Sequence, residues 1–393
     1  MSGILAHRRF LQATVTNFFF FSSLNGFVLL PLHIQQLGGT EIEIGVVMGL
    51  YSAMGILCQP LIGPWVDAVG RKPFMVFGAA LVLLSALLAM AGGSLPALAG
   101  IRLLQGVGFS AFFVANYSYV IDLVPAAQRG WALGIYGVSG LMSTALAPLV
   151  GEVIIRRLGF RPFFAACAGL AAVAVALVWR VREQPRGGPR LVRGWAWAWA
   201  GLEDIFHRHM AVTVFFGLGA GAIFTFLPTF GEELGVTTLA LFYTAYAGAA
   251  MGVRVFGGRL IDTRGRRAVI VPSMFAQAVS TALLAGLGLL VSRTSQVPVV
   301  PVLFVAGLVS GGAHGFMYPG LAALVADQAS ETRRGAVVGV FSAVFLAGHA
   351  GGAFVFGYVT HAIGYGLMWS ALTAVLLAGA GLSLRLTDRA GPA

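Results

Sequence analysis

The chain has 393 residues, of which 58% are hydrophobic and only 10% charged, and its formal net charge is +11. Soluble domains carry about 25% charged residues, so this composition excludes an ordinary water-soluble protein. The two cysteines, Cys58 and Cys167, form no CxxC pair. We therefore interpret both as packing residues rather than as metal or redox ligands.

The apolar residues come in twelve runs of about 20 residues, the length that an α-helix needs to cross roughly 30 Å of hydrocarbon. Helices are predicted rather than strands, because lipid-exposed backbone must satisfy its own hydrogen bonds and no alternating barrel pattern occurs. Twelve helices use roughly 240 residues, which leaves no room for a soluble domain. The first run is predicted to be a helix rather than a signal peptide, since it is long and lacks a cleavage site. Runs 1 to 12 are predicted at 10–33, 42–62, 73–92, 97–122, 131–155, 160–180, 209–231, 237–258, 268–291, 298–326, 334–358 and 363–386.

The distribution of basic residues predicts the orientation of the chain. With both termini in the cytoplasm, 19 of the 25 Lys and Arg residues fall in cytoplasmic segments, four fall outside, and Arg102 and Arg254 lie within helices. This is the positive-inside bias, so the net charge indicates topology rather than a nucleic-acid partner. We predict an integral membrane protein of a bacterial inner membrane with cytoplasmic N- and C-termini.

The longest polar stretch divides the runs into two sets of six. It covers 181–208, is rich in Arg, Gly and Pro, and is interpreted as a cytoplasmic linker between bundles at 1–180 and 209–393. Its Trp195, Trp197 and Trp199 fit a partner-docking site or, more commonly, anchors at the bilayer interface.

One ten-residue phrase occurs twice, between runs 2 and 3 at 63–72 and between runs 8 and 9 at 258–267. Asp67, Gly70 and Arg71 recur 195 residues later as Asp262, Gly265 and Arg266. Asp122, Arg129, Gly130 and Gly134 recur 205 residues later as Asp327, Arg334, Gly335 and Gly339. The same chemistry at the same place in each half indicates a duplicated six-helix unit, as in one large class of secondary transporters.

The paired phrases resemble the signature loop of the major facilitator superfamily. Arg102-Leu103-Leu104-Gln105-Gly106-Val107-Gly108 in run 4 resembles a second signature of that family. The resemblance covers nearly the whole chain. It implies an all-α membrane protein with twelve transmembrane helices in two six-helix pseudo-symmetric bundles.

Run 5 carries a weaker resemblance, to the glycine-proline phrase of export-type members of the family. Gly140, Ala147, Pro148 and Gly151 match its pattern, but Ala147 stands where a Gly usually precedes the Pro and Glu152 where a second Gly follows. The resemblance implies the drug/proton antiporter-like, efflux branch.

In this family the charged loop clusters lock the outward-facing state and release as the halves rock. An Asp at the end of run 2 can interact with a helix N-terminus of the opposite half, and the Arg four positions later can pair with an acid ending run 4. The hypothesis assigns eight residues to two gates: Asp67, Gly70, Arg71 and Asp122, and Asp262, Gly265, Arg266 and Asp327. The alternative, that such charges only set topology, is favoured for Lys72, Arg264 and Arg267.

Ionisable residues within the runs are candidates for proton coupling. A charge at the centre of a membrane helix costs about 2.5 to 3.5 kcal/mol, so those present usually face a cavity and have a partner. The candidates are Glu152, His314, His349 and Arg102. Arg102 and Glu152 are predicted to pair and the two histidines to approach each other, although each His equally fits a neutral packing residue. Arg254, nearer the cytoplasm, is predicted to steady the second hinge.

Runs 1 and 7 are rich in Phe and carry no charge in their cores. The predicted cavity residues are Asn17, Phe21, Asn25, Phe224, His314 and His349. Aromatic walls with few polar groups suit amphipathic or lipophilic solutes better than sugars, although about half of the Phe residues are expected to serve ordinary packing. Run 1 lacks the acid that some well-known drug exporters of the family carry there, and this departure weakens the case for a cationic drug as substrate.

The sequence therefore predicts a secondary active transporter of a small amphipathic or lipophilic organic solute, working by proton-coupled efflux and alternating access. Import or facilitated movement of a small organic metabolite is the competing interpretation. No HExxH, Walker, GxSxG or Cys/His motif is present, so no enzyme, metal or cofactor is predicted, and the loops leave no room for a receptor's signalling domain. The expected partners are the solute, protons and membrane lipid, with no nucleic acid, and the expected functional unit is a monomer.

Overall fold

The computed structural model of the chain describes residues 8–124, 129–183, 208–257, 260, 263–291, 297–327 and 334–386. Within these ranges all regular secondary structure is helical, so the prediction of an all-α protein is confirmed. The predicted linker at 181–208, with its three tryptophans, lies almost wholly outside the described residues. The α-helices are α1 (Arg8–Gly26), α2 (Leu30–Gln36), α3 (Glu41–Val69), α4 (Arg71–Met90), α5 (Leu95–Leu123), α6 (Arg129–Leu158), α7 (Phe160–Trp179), α8 (Arg208–Glu233), α9 (Ala240–Phe256), α10 (Arg267–Val291), α11 (Val299–Asp327) and α12 (Arg334–Ser383).

Ten segments of the described helices are long and apolar enough to cross a bilayer, so the chain is an integral membrane protein. Helix α9 is shorter, with 17 residues. Helix α12 has 50 residues, which would extend about 75 Å if straight, more than twice the thickness of the hydrocarbon. It is interrupted at Gly364, whose φ of 76° and ψ of 168° are not helical. The sequence predicts this break at 359–362; it falls instead at the glycine, the residue that adopts positive φ most easily.

The first predicted helix is also interrupted. The sequence predicts one helix over 10–33, whereas α1 and α2 are separated by a single 3-10 turn at Phe27–Leu29. Pro31 lies in the first turn of α2. Because proline has no amide hydrogen, it cannot donate to the carbonyl four residues earlier, and the lost hydrogen bond favours an interruption of the helix at this point.

The duplicated phrases form two connections with the same backbone feature. Gly70 separates α3 from α4 and has φ 131°, while Gly265, which closely precedes α10, has φ 86°. Residues with a Cβ rarely adopt such φ values, so both positions require glycine for a sharp connection. We call the end of the helices that carries these connections the hinge end, and the opposite end the far end.

The N-terminal and C-terminal halves of the chain pack along two seams, α3 against α12 and α6 against α9. In the first seam a Cβ added to Gly45 would meet the carbonyl oxygen of Ala353, and one added to Gly49 would lie 2.6 Å from the ring of Phe354. Small residues of this kind let two membrane helices approach closely. The seam closes at the far end, where His361 Nδ1 lies 3.0 Å from Glu41 Oε2.

Replacing Gly45 with Leu is expected to open the far end of the α3–α12 seam, because the new side chain has no space beside Ala353. The opening can be measured as maleimide labelling of a single cysteine placed at Val47, which is 3% exposed, in a background without Cys58 and Cys167. Labelling should become roughly tenfold faster, as for a shift of about 1.4 kcal/mol. The matched control is Gly169→Leu, where an added Cβ meets no atom within 4 Å. Equal labelling rates in the two variants would contradict the prediction.

Candidate functional site

An ion pair joins the hinge ends of α4 and α5. Arg71 Nε donates to Asp122 Oδ2 at 3.1 Å, and Arg71 Nη1 donates to the carbonyl oxygen of Val66 at 3.3 Å. The side chain of Arg71 is 10% exposed and that of Asp122 is 39% exposed. The pair is therefore partly shielded from solvent, unlike the fully exposed pairs that contribute little to stability. We call Arg71 and Asp122 the hinge pair.

The hinge pair is supported by a carboxylate that sequence patterns do not reveal. Glu183, beyond the end of α7, accepts hydrogen bonds from the backbone N–H groups of Arg71 at 3.1 Å and Lys72 at 2.8 Å. These amides belong to the first turn of α4, where a helix has no internal acceptors and favours a negative charge. Because Glu183 is 111 residues from Lys72, no local spacing in the sequence points to the contact.

The second predicted gate is only partly within the described residues. The carbonyl oxygen of Arg266 accepts a hydrogen bond from the N–H of Ile270 and so starts α10 directly after Gly265. Asp262 and the side chains of Asp67 and Asp327 lie outside the described part of the chain. The second gate and the cross-half contact of Asp67 therefore stay predictions.

At the far end a buried carboxylate joins the two halves. Glu152 on α6 is 5% exposed and accepts hydrogen bonds from Arg156 Nε at 2.9 Å and from the N–H groups of Leu239 at 3.1 Å and Ala240 at 2.8 Å. Both amides lie at the start of α9, where a negative charge is favourable. Arg156 also donates to Glu232 Oε1 on α8 at 2.8 Å. We call Glu152, Arg156 and Glu232 the far-end contact.

A cavity of about 400 Å³ adjoins the far-end contact. Residues of α2, α6, α7 and α8 line it: Leu32, Gln35, Gln36, Glu152, Ile155, Arg156, Phe160 and Glu232. Sequence patterns could have indicated Arg156, because it follows Glu152 by four positions on one helix face. Glu232 and the two amides of α9 come from the other half of the chain and have no such signal.

The predicted ion pair between Arg102 and Glu152 is not formed. Arg102 Nη1 donates to Gln105 Oε1 at 2.7 Å, and the guanidinium lies 4.5 Å from the ring centroid of Tyr51 on α3. The prediction is wrong because similar depth in the membrane does not determine which way a helix faces. Arg102 is directed toward α3, whereas Glu152 is directed toward α9.

Asn17, predicted to line the cavity, is part of a buried polar network. Its Oδ1 accepts from Tyr136 Oη at 2.6 Å and its Nδ2 donates to Ser139 Oγ at 2.9 Å, while Asn116 Nδ2 donates to Tyr136 Oη at 2.9 Å. Asn17, Asn116 and Tyr136 are each no more than 3% exposed. The network therefore uses the polar atoms of Asn17 to hold α1, α5 and α6 together.

Half-buried aromatic rings follow one face of α5 and continue onto α3. Ring centroids are 5.4 Å apart for Tyr51 and Phe109, 5.3 Å for Phe109 and Phe113, and 5.8 Å for Phe113 and Tyr117. The predicted cavity residue Phe21 contacts Phe109 with centroids 6.1 Å apart. We call Tyr51, Phe109, Phe113 and Tyr117 the N-terminal ladder; their spacing of four residues on α5 places them on one face.

The C-terminal half holds a second series of rings. Centroids are 5.3 Å apart for Phe224 and Tyr246, 5.5 Å for Tyr246 and His314, 6.3 Å for His314 and Tyr318, and 5.5 Å for Tyr318 and Phe345. We call these five residues the C-terminal ladder. The predicted cavity residues Phe224 and His314 both belong to it, whereas Asn25 of α1 instead donates to Ser143 and Thr144 within the N-terminal half.

The two histidines occupy different settings near the C-terminal ladder. His349 Nδ1 lies 3.0 Å from Ser52 Oγ of α3 and so takes part in the α3–α12 seam. His314 packs on Phe216 with centroids 5.4 Å apart, and its Nδ1 has no hydrogen-bond partner in the described part of the chain. Phe216 also contacts Phe345, which contacts His349, so a series of ring contacts connects the two imidazoles through two phenylalanines.

Arg254 lies where the two ladders approach each other. Its Nη1 would be only 2.7 Å from a Cβ added to Gly137 on α6 of the opposite half. Its guanidinium is within electrostatic range of Tyr246 and Tyr318 of the C-terminal ladder and of Tyr117 of the N-terminal ladder. The position of Arg254 in the sequence predicts a role at the second hinge. Its side chain is instead directed toward the interface between the two halves.

The sequence of the chain matches the Major Facilitator Superfamily over residues 12–299 and 210–393. The chloramphenicol resistance protein of Pseudomonas aeruginosa is 29% identical over 266 residues, and the match covers 65% of this chain and 62% of that protein. The staphylopine export protein of Staphylococcus aureus is 23% identical over 381 residues, covering 94% of this chain and 93% of that protein. The crystal structure of the nucleoside transporter NupG (D323A mutant) is 15% identical and has a similar fold, with a TM-score of 0.79 over 96% of this chain and 99% of that one.

Proposed function

Because this chain belongs to the Major Facilitator Superfamily, and is a transporter rather than an enzyme, we propose that it exports a small amphipathic or lipophilic organic solute in exchange for protons. Relatives named for chloramphenicol resistance, staphylopine export and multidrug resistance support export. The two ladders support the solute class, since aromatic walls with few polar groups bind molecules that are largely apolar.

The proposed architecture has twelve crossings in two six-helix bundles, at 1–180 and 209–393. Helix α9 and the division of α12 at Gly364 supply two crossings beyond the ten long apolar segments. The hinge end carries most of the basic residues, so we place it and both termini in the cytoplasm of a bacterium, with the far end outside the inner membrane. A monomer is the proposed functional unit.

The observation that carries the proposal is the position of Glu152. Its carboxylate accepts three hydrogen bonds, two of them from the opposite half. A proton on the carboxylate would remove the negative charge that strengthens all three, and hydrogen bonds to charged groups contribute about 1.5 to 3 kcal/mol each. Closure of the far end therefore favours the ionised carboxylate, and protonation favours an open far end.

This dependence links proton uptake outside to the conformational cycle. With the far end open, Glu152 takes up a proton from outside, and the proton must leave the carboxylate before the far end closes again. His349 in the α3–α12 seam and His314 deeper in the C-terminal half are the groups that we propose pass it toward the hinge end. One proton then enters the cell in each cycle that releases a solute outside.

Inverted membrane vesicles test the direction and the coupling together. In vesicles with an acidic lumen, a proton-coupled exporter accumulates solute, whereas a proton-coupled importer expels it. We expect accumulation of at least one member of a panel comprising chloramphenicol, 2-naphthoate, 2-naphthamide and 2-naphthylmethylamine. In potassium buffer, nigericin, which exchanges K⁺ for H⁺, should abolish this accumulation. Vesicles without the protein are the control. Accumulation that does not depend on the pH gradient, or none for the whole panel, would contradict the proposal.

A further inference from the structure

Among the residues that the structure describes, the interior holds two arginines, Arg102 and Arg254, without a carboxylate partner. In the part of the chain that the structure describes, the carboxylate side chains lie near helix ends, namely Glu41, Glu43, Asp122, Glu152, Glu183, Glu232 and Glu233. Arg102 has acceptors within its own half, since its Nη1 donates to Gln105 and its Nη2 to the carbonyl oxygen of Met48, although its Nε, like that of Arg254, has no hydrogen-bond partner among the described residues. Arg254 differs, because the described groups within its electrostatic range are three neutral phenols and the imidazole of His314, none of which is an anion.

From this arrangement we infer that Arg254 binds an acidic group of the transported solute, so that the solute is an aromatic organic anion such as a carboxylate or sulfonate. The inference rests on the proposed function and narrows it to one substrate class. A cation kept within a membrane helix requires an opposite charge or a set of acceptors, and such residues mark solute and ion pathways. Here the bound solute supplies the negative charge.

The geometry around Arg254 fits this role in three respects. First, the side chain of a helical residue leans toward the N-terminus of its helix, so the guanidinium extends from the last turn of α9 back toward the centre of the protein. Second, Gly137 leaves open the space in which Nη1 lies. Third, Tyr117 and Tyr318, from opposite halves, both lie within electrostatic range of Arg254, so phenols of the two halves flank the guanidinium.

The chemistry of the surrounding groups favours a planar acid over a neutral or cationic solute. A guanidinium offers parallel N–H donors that match the two oxygens of a carboxylate or sulfonate. The ladders on either side supply aromatic faces and edges for the body of the solute. A cationic solute would meet two arginines and no carboxylate in this described interior, so it would be repelled.

The inference can be tested by equilibrium binding of radiolabelled 2-naphthoate and 2-naphthamide, which differ in charge but hardly in shape, to the full chain in lipid nanodiscs. The unmodified protein should bind 2-naphthoate at least tenfold more tightly than 2-naphthamide. Arg254→Gln should make the two affinities equal within about twofold. Arg254→Lys should retain part of the difference, since Lys keeps the positive charge but lacks the paired N–H donors of the guanidinium.

A second variant tests the site without removing the charge. Gly137→Ala places a methyl group against Nη1 and should weaken 2-naphthoate binding severalfold while leaving 2-naphthamide binding unchanged. Gly134→Ala, one turn away, meets no atom within 4 Å and should change neither. The inference is overturned if the unmodified protein does not prefer 2-naphthoate, or if the preference survives in both Arg254→Gln and Gly137→Ala. Gradient-driven accumulation of chloramphenicol or 2-naphthamide would still support export in that case, so the two proposals fail separately.

Discussion

Replacing Glu152 with Gln is expected to hold the far end open in both acidic and alkaline buffer, whereas the unmodified protein should open only as the buffer becomes acidic. The amide keeps the shape of the carboxylate but loses the charge that attracts Arg156 and the amides of Leu239 and Ala240. A loss of about 1.5 to 3 kcal/mol changes the ratio of closed to open molecules roughly 10- to 150-fold.

The opening can be measured as the distance between spin labels at two far-end positions on opposite halves. Leu37 and Thr237 are suitable, because both are exposed. Arg156, Glu232 and Tyr243 are charged or titratable groups around Glu152. The same measurement on Glu232→Gln shows how much of the pH effect arises from the link between Arg156 and Glu232.

The matched control removes a different acid from the same end of the molecule. Glu233 is exposed and adjacent to Glu232, and Glu233→Gln should leave both the distance and its pH dependence unchanged. If the unmodified protein and Glu152→Gln give the same distances in acidic and alkaline buffer, Glu152 does not control the far end.

Replacing Arg71 with Ala is expected to lower the initial rate of gradient-driven solute accumulation about tenfold in correctly inserted protein. The change leaves the partly shielded carboxylate of Asp122 without its cation and the carbonyl of Val66 without its side-chain donor. An unsatisfied group of this kind costs about 1 to 3 kcal/mol, which is enough to change the conformational equilibrium on which the cycle depends.

A double-mutant cycle separates the ion pair from general damage at the hinge. If Arg71 and Asp122 act as one unit, Asp122→Asn should cause a similar loss, and the double variant should be no slower than either single one. Lys72→Ala is the control, because the contact of Lys72 with Glu183 uses the backbone N–H and survives the change. Losses that simply multiply in the double variant would show that the pair has no joint role.

The positions of the helices and of the two hinge glycines can be predicted from the sequence, because they depend on composition and on the order of residues along the chain. Apolar runs locate the helices, and the duplicated phrases locate Gly70 and Gly265, because positive φ values leave a visible requirement for glycine. Features that depend on helix rotation are harder to predict. Arg102 and Glu152 lie at similar depth but face α3 and α9, and no periodicity distinguishes these faces in helices that are apolar nearly all around.

Contacts with backbone donors are the least visible in the sequence. The amides of Leu239 and Ala240 that bind Glu152 belong to two apolar residues in the opposite half. Likewise, the space that admits Arg254 is a missing side chain at Gly137, one of 54 glycines in the chain. Each of these contacts arises from tertiary packing, so local residue patterns contain no record of it.

The glycine contacts between α3 and α12 also bear on how the two halves would move against each other in the proposed cycle. Gly45 lies against the backbone of Ala353 and Gly357, whereas Gly49 lies against the ring of Phe354. The network of Asn17, Asn116 and Tyr136 meanwhile makes one half stiff. A rigid half that moves along a closely packed seam should concentrate strain in the contacts at the hinge end and the far end. Substitutions in the ladders are then expected to alter the proposed solute preference without altering the conformational cycle.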